Sequence, residues 1–272
     1  MLTAREVKPG IWWVGGIDWN ERLFHGYTTE AGITYNAYLI MDEKVTLIDT
    51  VKAKFADELL QRISQIIDPS KIDVVVTNHV EMDHSGSLPR IHEVAPNAEI
   101  YASAPAGVKE VMAHFGIEVK GVKTGDSISV GKRTLHFVTT SMVHWPDNMV
   151  TYCPEDKILF SNDAFGQHYA TSKHFDVEND LCEIMHQARK YYANIVQPYQ
   201  KQARKALDAV KTLDLEVIAP SHGIIWTKHI PDILDAYTEF TSGEVKEKAI
   251  VVYDYMWEST AKMAKAICEA FV

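Results

Sequence analysis

The feature that most constrains the fold of this chain is a repeated pairing of a short apolar stretch with a residue that can bind a metal. Each apolar stretch has the length and composition of a buried β-strand. The residues that follow the four stretches are His79 with its neighbours, His144, Asp163 and His222. A lone loop histidine is usually an ordinary surface residue, but four strand ends with the same property predict loops that meet at a single site.

The loop at residues 77–86 carries the highest density of possible metal ligands. It holds His79, Glu81, Asp83 and His84, which are two imidazoles and two carboxylates within six residues. Side chains two positions apart point the same way in an extended segment. We therefore expect His79, Glu81 and Asp83 to converge from one side, with His84 free to turn towards a second metal. A solvated polar loop is the alternative for this stretch taken alone.

The rest of the chain alternates between predicted strands and helices. Apolar runs predict strands at residues 11–14, 34–40, 45–48, 74–77, 99–102, 134–140, 149–153, 157–161 and 216–219. Helical periodicity predicts helices at residues 55–67, 87–94 and 106–115, and a helical stretch at 181–213 that Pro198 interrupts. This order predicts an α/β fold in which two sheets are covered by helices.

Composition excludes several classes of function. The chain has 272 residues and a formal net charge of -10, which argues against a nucleic-acid or anionic-membrane surface. It has no apolar run of 18 residues and no basic leader, so a soluble, cytoplasmic protein is expected. Its cysteines, Cys153, Cys182 and Cys268, form no CxxC pair and predict neither a disulfide framework nor a thiolate metal site.

The ligand-type residues together carry a resemblance to a known family. The motif His79-x-Glu81-x-Asp83-His84, followed by His144, Asp163 and His222, resembles the metallo-β-lactamase fold in its flavodiiron form. The resemblance extends to about residue 240 and implies an αββα sandwich, with a diiron domain at residues 1–243. It implies that one iron binds His79, Glu81 and His144, that the other binds Asp83, His84 and His222, and that Asp163 bridges them. In that family, water can replace His84.

The remaining histidines are assigned by their sequence context. His25 lies in a stretch that resembles the same family, His25-Gly26-Tyr27, and is predicted to line the pocket above the metals as a second-sphere residue. The others are predicted to be surface or helix-face residues: His92, His114, His136, His168, His174, His186 and His229.

Glu81 separates two chemistries on this fold. In the hydrolase branch the second ligand is usually histidine, so a glutamate there favours the flavodiiron branch. Four imidazoles and three carboxylates without a thiolate suit non-haem iron with open positions, whereas zinc favours imidazole and thiolate. Binuclear zinc sites also use carboxylates, so a zinc hydrolase of the same fold that cuts thioesters or lactams remains an alternative.

The C-terminal stretch resembles the start of a flavodoxin. Residues 248–254 are predicted to be a buried parallel strand, and residues 261–270 a helix. The loop between them would hold an FMN phosphate at the helix N-terminus, through Tyr255, Met256, Trp257, Glu258, Ser259 and Thr260. The family loop normally begins with threonine or serine, and Tyr255 stands in that place. Residues 248–272 are therefore predicted to be the incomplete first part of a doubly wound, flavodoxin-like FMN domain.

The leading hypothesis is a flavodiiron oxidoreductase. It would reduce dioxygen to water, nitric oxide to nitrous oxide, or both, at two non-haem irons that receive electrons through FMN. The resemblance also implies a small electron donor, such as rubredoxin or a reduced deazaflavin, and a head-to-tail homodimer. A second alternative, beside the zinc hydrolase, is a diiron domain that binds oxygen as a sensor or carrier without turnover.

Overall fold

The structure is a computed structural model that describes residues 2–245 and 247–271. Met1 and Val272, the outer bounds of the two predicted domains, lie outside the described residues. The chain divides into two units, Met1–Thr241 and Ser242–Val272, which are described separately below. None of the helices in the described ranges is long and apolar enough to cross a membrane.

The first unit contains all the strands that the structure assigns among the described residues. In chain order they are β1 (Arg5–Lys8), β2 (Ile11–Trp13), β3 (Gly16–Asp18), β4 (Leu23–Phe24), β5 (Tyr27–Thr28), β6 (Ile33–Tyr35), β7 (Tyr38–Ile40), β8 (Thr46–Ile48), β9 (Val74–Thr77), β10 (Glu99–Ser103), β11 (Lys120–Val122), β12 (Ser127–Ser129), β13 (Thr134–Thr139), β14 (Met149–Cys153), β15 (Ile158–Asn162) and β16 (Val217–Pro220). Its α-helices are α1 (Ala56–Ile63), α2 (Met82–Ser85), α3 (Leu88–Val94), α4 (Ala106–Phe115), α5 (Leu181–Tyr191), α6 (Gln200–Val210) and α7 (Ile230–Phe240).

The strands form two main sheets and two short ribbons. The first sheet has the order β1-β2-β7-β8-β9-β10-β11, and the second has the order β12-β13-β14-β15-β16. The pair β3 and β6 and the pair β4 and β5 each form a two-stranded ribbon. In the second sheet β16 pairs with β15 in parallel, whereas β13, β14 and β15 pair antiparallel. The strands β7 and β8 pair antiparallel, as do β14 and β15, so each pair forms a hairpin.

Three apolar layers hold the sheets and helices together. The inter-sheet layer combines side chains of the first sheet, such as Ile40 and Val76, with side chains of the second, such as Phe137 and Phe160. The outer face of the first sheet packs on α1, α3 and α4, and the outer face of the second packs on α5, α6 and α7. The layers therefore run helix, sheet, sheet, helix, which confirms the predicted αββα sandwich.

Two helix boundaries follow from local chemistry. The helix α4 ends at Gly116, whose φ of 67° is the left-handed conformation that glycine adopts without a steric penalty. After α5 the chain passes through a π-helical turn, Tyr192–Val196, and a short 3-10 turn that contains Pro198, before α6 begins. The predicted interruption near Pro198 is confirmed, because proline cannot donate the backbone hydrogen bond that a continuous helix needs.

The strand predicted at residues 34–40 is wrong in one respect, because it is broken into β6 and β7. The break falls at Asn36 and Ala37. The Asn36 side chain donates from Nδ2 to the carbonyl oxygens of Pro220 and Gly223, at 2.9 and 3.0 Å. The backbone nitrogen of Asn36 also donates to Ser221 O, at 2.7 Å. These bonds tie Asn36 to the end of β16 and to the loop that follows it.

The second unit contains α8 (Ser259–Ala270), which confirms the predicted C-terminal helix. The strand predicted at residues 248–254 is not found among the described residues. Ile250 is 81% exposed and Val252 is 89% exposed, so these side chains are not buried in a sheet. A parallel strand needs hydrogen-bonding neighbours on its edges, and the described part of this unit supplies none.

Candidate metal centre

The loop after β9 changes conformation halfway along the predicted ligand motif. Glu81 has a φ of -54° and a ψ of 142°, but α2 begins at Met82 and carries Asp83 and His84. The hydroxyl of Ser85 donates to the carbonyl oxygens of Val80, at 2.5 Å, and Glu81, at 3.0 Å, which closes this turn. The prediction that Asp83 follows His79 and Glu81 along one extended segment is therefore wrong. The helical turn instead directs Asp83 and His84 towards a second cluster.

The first cluster contains His79, Glu81, His144 and Asp163. The Nε2 atoms of His79 and His144 lie 3.4 and 3.2 Å from Glu81 Oε2. The same two nitrogens lie 3.7 and 3.3 Å from Asp163 Oδ2. The four side chains therefore present one ligand atom each to a common space.

The second cluster contains Asp83, His84 and His222. His222 Nε2 lies 3.2 Å from Asp83 Oδ2, and His84 Nε2 lies 3.5 Å from Asp83 Oδ1. All three side chains are buried. Gly223, which follows His222, has a φ of 78°, and a Cβ there would lie 2.1 Å from Gln167 Oε1. Only glycine fits this turn without strain, so Gly223 fixes the position from which His222 enters the site.

Asp163 lies between the two clusters. Its Oδ2 faces the first cluster, whereas its Oδ1 lies 3.1 Å from His84 Nε2 and 3.6 Å from His222 Nε2. The preceding residue, Asn162, ends β15 with a φ of 53°, a left-handed conformation that asparagine tolerates. The Asn162 side chain accepts from Asn148 Nδ2 and donates to Ser221 Oγ. The backbone turn that presents Asp163 is therefore held on both sides.

The imidazoles and carboxylates of the two clusters shift one another's pKa values. Burial would raise the pKa of Glu81, but its contacts with His144 and His79 lower that pKa to about 2. Burial likewise opposes ionisation of Asp163, yet His84 and His144 hold the pKa of this carboxyl well below its usual value. In return, carboxylates raise the pKa values of His84 and His144 to about 9 against the effect of burial. Metal ligands bind as neutral imidazoles and carboxylates, so ions entering this site would displace protons.

The donor atoms fit a pair of metal ions. The following buried atoms make no hydrogen bond with any described residue: His79 Nε2, Glu81 Oε2, both Asp83 carboxylate oxygens, His84 Nε2, His144 Nε2 and both Asp163 carboxylate oxygens. Buried polar atoms normally have hydrogen-bond partners, and so many unpaired ones in one place call for a ligand. A mixed set of imidazoles and carboxylates suits non-haem iron.

Residues outside the predicted ligand set orient two of the histidines. Asp147 Oδ2 lies 2.9 Å from His79 Nδ1 and accepts from the backbone nitrogen of Val80, at 2.6 Å. His222 Nδ1 lies 2.7 Å from the backbone oxygen of Thr34. Each contact leaves Nε2 of the histidine facing its cluster. Such second-sphere partners fix ring orientation and tautomer at metal sites.

A cavity of about 300 Å³ adjoins the clusters and reaches the surface beside Met82, which is 51% exposed. His25, Glu81 and Trp145 are among its lining residues. His25 Nε2 lies 3.6 Å from Glu81 Oε1, so the structure places His25 beside the first cluster, where a second-sphere residue is predicted.

His168 is not the surface residue that the sequence predicts. It is buried, and its ring centroid lies 4.9 Å from that of His222 and 4.9 Å from that of Tyr191. The Tyr27 hydroxyl lies 2.6 Å from His168 Nδ1. The residue falls in a loop without a periodic pattern, so its burial depends on contacts that the sequence does not reveal.

The residues predicted to bind FMN all lie in the second unit. Ser259 and Thr260 open α8, and Glu258 precedes it. Tyr255, Met256 and Trp257 are 56%, 82% and 80% exposed. FMN binding through these residues stays a prediction.

A family model, sequence relatives and solved structures each match most of this chain. Residues 33–223 match the family model described as ODP family beta lactamase. A relative named nitric oxide reductase, from Moorella thermoacetica, is 47% identical over 272 residues, covering 98% of this chain and 68% of the relative. The chain thus spans about two thirds of that relative's length.

Two solved structures share the fold closely. The structure of rubredoxin oxygen:oxidoreductase from the anaerobe Desulfovibrio gigas superposes with a TM-score of 0.94 at 42% identity, covering 98% of this chain and 69% of that chain. The crystal structure of the flavodiiron protein from Giardia intestinalis superposes with a TM-score of 0.91 at 40% identity, covering 97% of this chain and 66% of that chain.

Proposed function

This chain belongs to the flavodiiron proteins, and we propose that it reduces dioxygen to water, nitric oxide to nitrous oxide, or both. The observation that carries the proposal is the position of Asp163, whose two carboxylate oxygens face two separate clusters of unpaired donor atoms. A pair of metals that share one carboxylate is the arrangement that two-metal catalysis requires.

The proposed ligands divide between two ions as the clusters divide. One iron would be held by His79, Glu81 and His144, and the other by Asp83, His84 and His222. Asp163 would contribute one oxygen to each. Glu81 adds negative charge to the first position, which favours the oxidised state of iron over the reduced one.

The chain's own residues prepare the place where a diatomic substrate would react. Iron held by these ligands would supply open coordination positions and the electrons for reduction. Trp145 lies against two proposed ligands, with its ring 5.3 Å from that of His79 and 6.2 Å from that of His144. Phe24 and Trp145 line the cavity at Glu81, where their rings would limit the water that reaches the donor atoms. The cavity thus admits a small molecule while it keeps the donor atoms largely dry.

Electron supply forms a further part of the proposal. We assign residues 1–243 to the diiron domain and residues 248–272 to the first part of an FMN domain. Electrons would pass from rubredoxin or a reduced deazaflavin to FMN, and from FMN to iron. The cavity opens at the surface beside Met82, which supports delivery by the flavin domain of a second chain in a head-to-tail homodimer.

The test is a single turnover with nitric oxide, after anaerobic loading of the chain with ferrous iron. Two nitric oxide molecules take up two electrons and two protons to give one nitrous oxide and one water. A ferrous pair holds those two electrons, so the expected yield is one nitrous oxide per loaded chain. Uptake of dioxygen by the ferrous protein is measured in parallel.

The variant Glu81→Gln should abolish turnover, whereas Glu99→Gln, at a surface glutamate that pairs with Lys120, should leave it unchanged. Hydrolysis of a thioester or lactam by the zinc-loaded chain, with the iron-loaded chain inert, would replace the reductase with a hydrolase. A stable oxygen-bound spectrum without product would instead indicate a sensor or carrier.

A further inference from the structure

A second cavity, of about 420 Å³, lies on another part of the first unit. It lies between the N-terminal strands, α1 and the loop that carries His174. The lining residues that define its chemistry are Trp13, Trp19, Glu58, Arg62, Ser172 and His174. Its volume is in the range of small-molecule sites in proteins. None of the seven proposed metal ligands is among its described lining residues.

Arg62 is a cationic group of this cavity, and two of its three guanidinium nitrogens make no hydrogen bond with a described residue. The residue is only 4% exposed. Its Nη1 donates to Glu58 Oε2 at 3.1 Å, while its Nε is buried and makes no hydrogen bond with a described residue. Nη2 likewise has no hydrogen bond within the part of the chain that the structure describes. A guanidinium has five N–H donors, and a buried one is normally paired with an anion.

Glu58 is an incomplete partner for Arg62. The Glu58 side chain is 34% exposed, so it lies at the edge of the cavity and does not fill it. The two residues are four apart on α1, an arrangement that contributes little stability at a protein surface. Burial lowers the pKa of Arg62, against the effect of its contact with Glu58. A ligand carboxylate in the cavity would pair with Nη2, the unpaired guanidinium nitrogen that is not sealed from solvent.

Aromatic rings line part of the cavity, although Trp13 is only 1% exposed and packs on Arg62 and His174. The guanidinium carbon of Arg62 lies 5.0 Å from the centre of the Trp13 ring, and the His174 ring lies 4.1 Å from Trp13 at an angle of 37°. The indole nitrogen of Trp13 already donates to Asn36. Trp19 is 52% exposed and completes the apolar wall nearer the surface. The cavity therefore combines one under-used cation with surfaces that suit a planar ring.

We propose that this cavity binds a small carboxylate attached to a flat ring, with the carboxylate on Arg62 and the ring against Trp19 and His174. The site is distinct from the proposed metal centre, and its occupancy does not require iron. Recognition depends on the bidentate geometry of the guanidinium, which lysine cannot reproduce.

Fluorine NMR of 4-fluorobenzoate titrated with the full chain tests the proposal. We expect saturable binding of one ligand per chain, at least tenfold weaker binding of 4-fluorobenzamide, which lacks the charge, and at least tenfold weaker binding of acetate, which lacks the ring. Absence of saturation, or equal binding of the benzamide, would overturn the proposal and leave Arg62 with a structural role.

Variants at the cavity should change the affinity for fluorobenzoate in opposite directions. Arg62→Lys should weaken fluorobenzoate binding at least tenfold, provided that circular dichroism shows a folded protein. Glu58→Gln removes the internal competitor at a partly exposed position and should tighten binding severalfold. Trp19→Ala should weaken binding at least threefold, whereas Trp257→Ala, at an 80% exposed tryptophan of the second unit, should change nothing. Unchanged affinity in both Glu58→Gln and Trp19→Ala would refute the site, even if Arg62→Lys failed to fold.

Discussion

Asp147 lies behind His79, with Oδ2 of the carboxylate 2.9 Å from Nδ1 of the imidazole. Both side chains are buried, and the same oxygen accepts from the backbone nitrogen of Val80. The contact fixes the tautomer of His79 with Nε2 available to a metal. Asp147→Asn should therefore lower iron affinity by about 10- to 100-fold while the chain stays folded, because loss of a second-sphere carboxylate has costs of this size.

Competition with a calibrated chelator measures that affinity. The matched control is Asp232→Asn, because Asp232 contacts His229 Nδ1 at the same distance, 2.9 Å, but at an exposed position. This control should leave iron affinity unchanged. Equal affinities for Asp147→Asn and the unmodified chain would show that Asp147 does not support the ligand.

Removal of the central carboxylate should affect both metal positions. Asp163→Asn takes charge from the two clusters at once, since its oxygens face His144 on one side and His84 on the other. We expect the variant to lose both irons, whereas Glu81→Gln and Asp83→Asn each weaken mainly one position. Iron per chain after anaerobic loading and desalting distinguishes these results. Retention of one full iron by Asp163→Asn would contradict a shared ligand.

His174 should make stability depend on pH in the weakly acidic range. Burial and the nearby guanidinium of Arg5 lower the pKa of His174 to about 4, with Glu178 opposing and Arg62 adding to the effect. Between pH 4 and the unfolded value near 6.5, the unfolded chain binds the extra proton and the folded chain does not. The free energy of unfolding that the neutral His174 contributes is complete above about pH 6.5 and is lost as pH falls towards 4.

His174→Gln removes this titration. From pH 7 to pH 5 the unmodified metal-free chain should lose about 2 kcal/mol more unfolding free energy than the variant. Urea unfolding of both proteins at the two pH values provides the comparison. Identical losses would mean that His174 is protonated in the folded state at pH 5.

The Tyr27 hydroxyl satisfies a buried nitrogen of His168, at 2.6 Å. Tyr27→Phe leaves that nitrogen without its partner and should lower the free energy of unfolding by about 1–3 kcal/mol. The double variant Tyr27→Phe with His168→Phe removes both polar groups and should recover part of the loss. Tyr101→Phe, which removes a surface hydroxyl bonded to Glu99, serves as the control. A loss no larger than that of Tyr101→Phe would disprove the buried hydrogen bond.

Much of the first unit could be predicted from the sequence because its strands are short apolar runs with clear ends. The apolar runs before His79, His144, Asp163 and His222 form β9, β13, β15 and β16, and the structure brings the following residues together. Hydrophobic periodicity reports burial directly, so the positions of these strands were accessible. The helical turn at Met82 could not be predicted in this way, because it depends on the Ser85 hydroxyl, which donates to two backbone carbonyl groups.

The supporting residues of the site could not be predicted in the same way. Asn36 reaches Pro220 across 184 positions, and Asp147 reaches His79 across 68. Hydrogen bonds over such separations leave no periodic signal in the sequence. Residues 248–254 illustrate the opposite case, in which a strong strand pattern has no described neighbour to pair with, so propensity alone does not produce a strand.

Each cluster of donor atoms draws on both layers of the sandwich. His79, Glu81, Asp83 and His84 follow β9 of the first sheet, whereas the loops after β13, β15 and β16 of the second sheet bring the remaining donors. Two ions bound there would link the two sheets at the edge of the sandwich where these loops meet. Neither sheet could then slide over the other without breaking metal bonds, so bound iron would add to the stability that the apolar layer between the sheets already gives the metal-free chain.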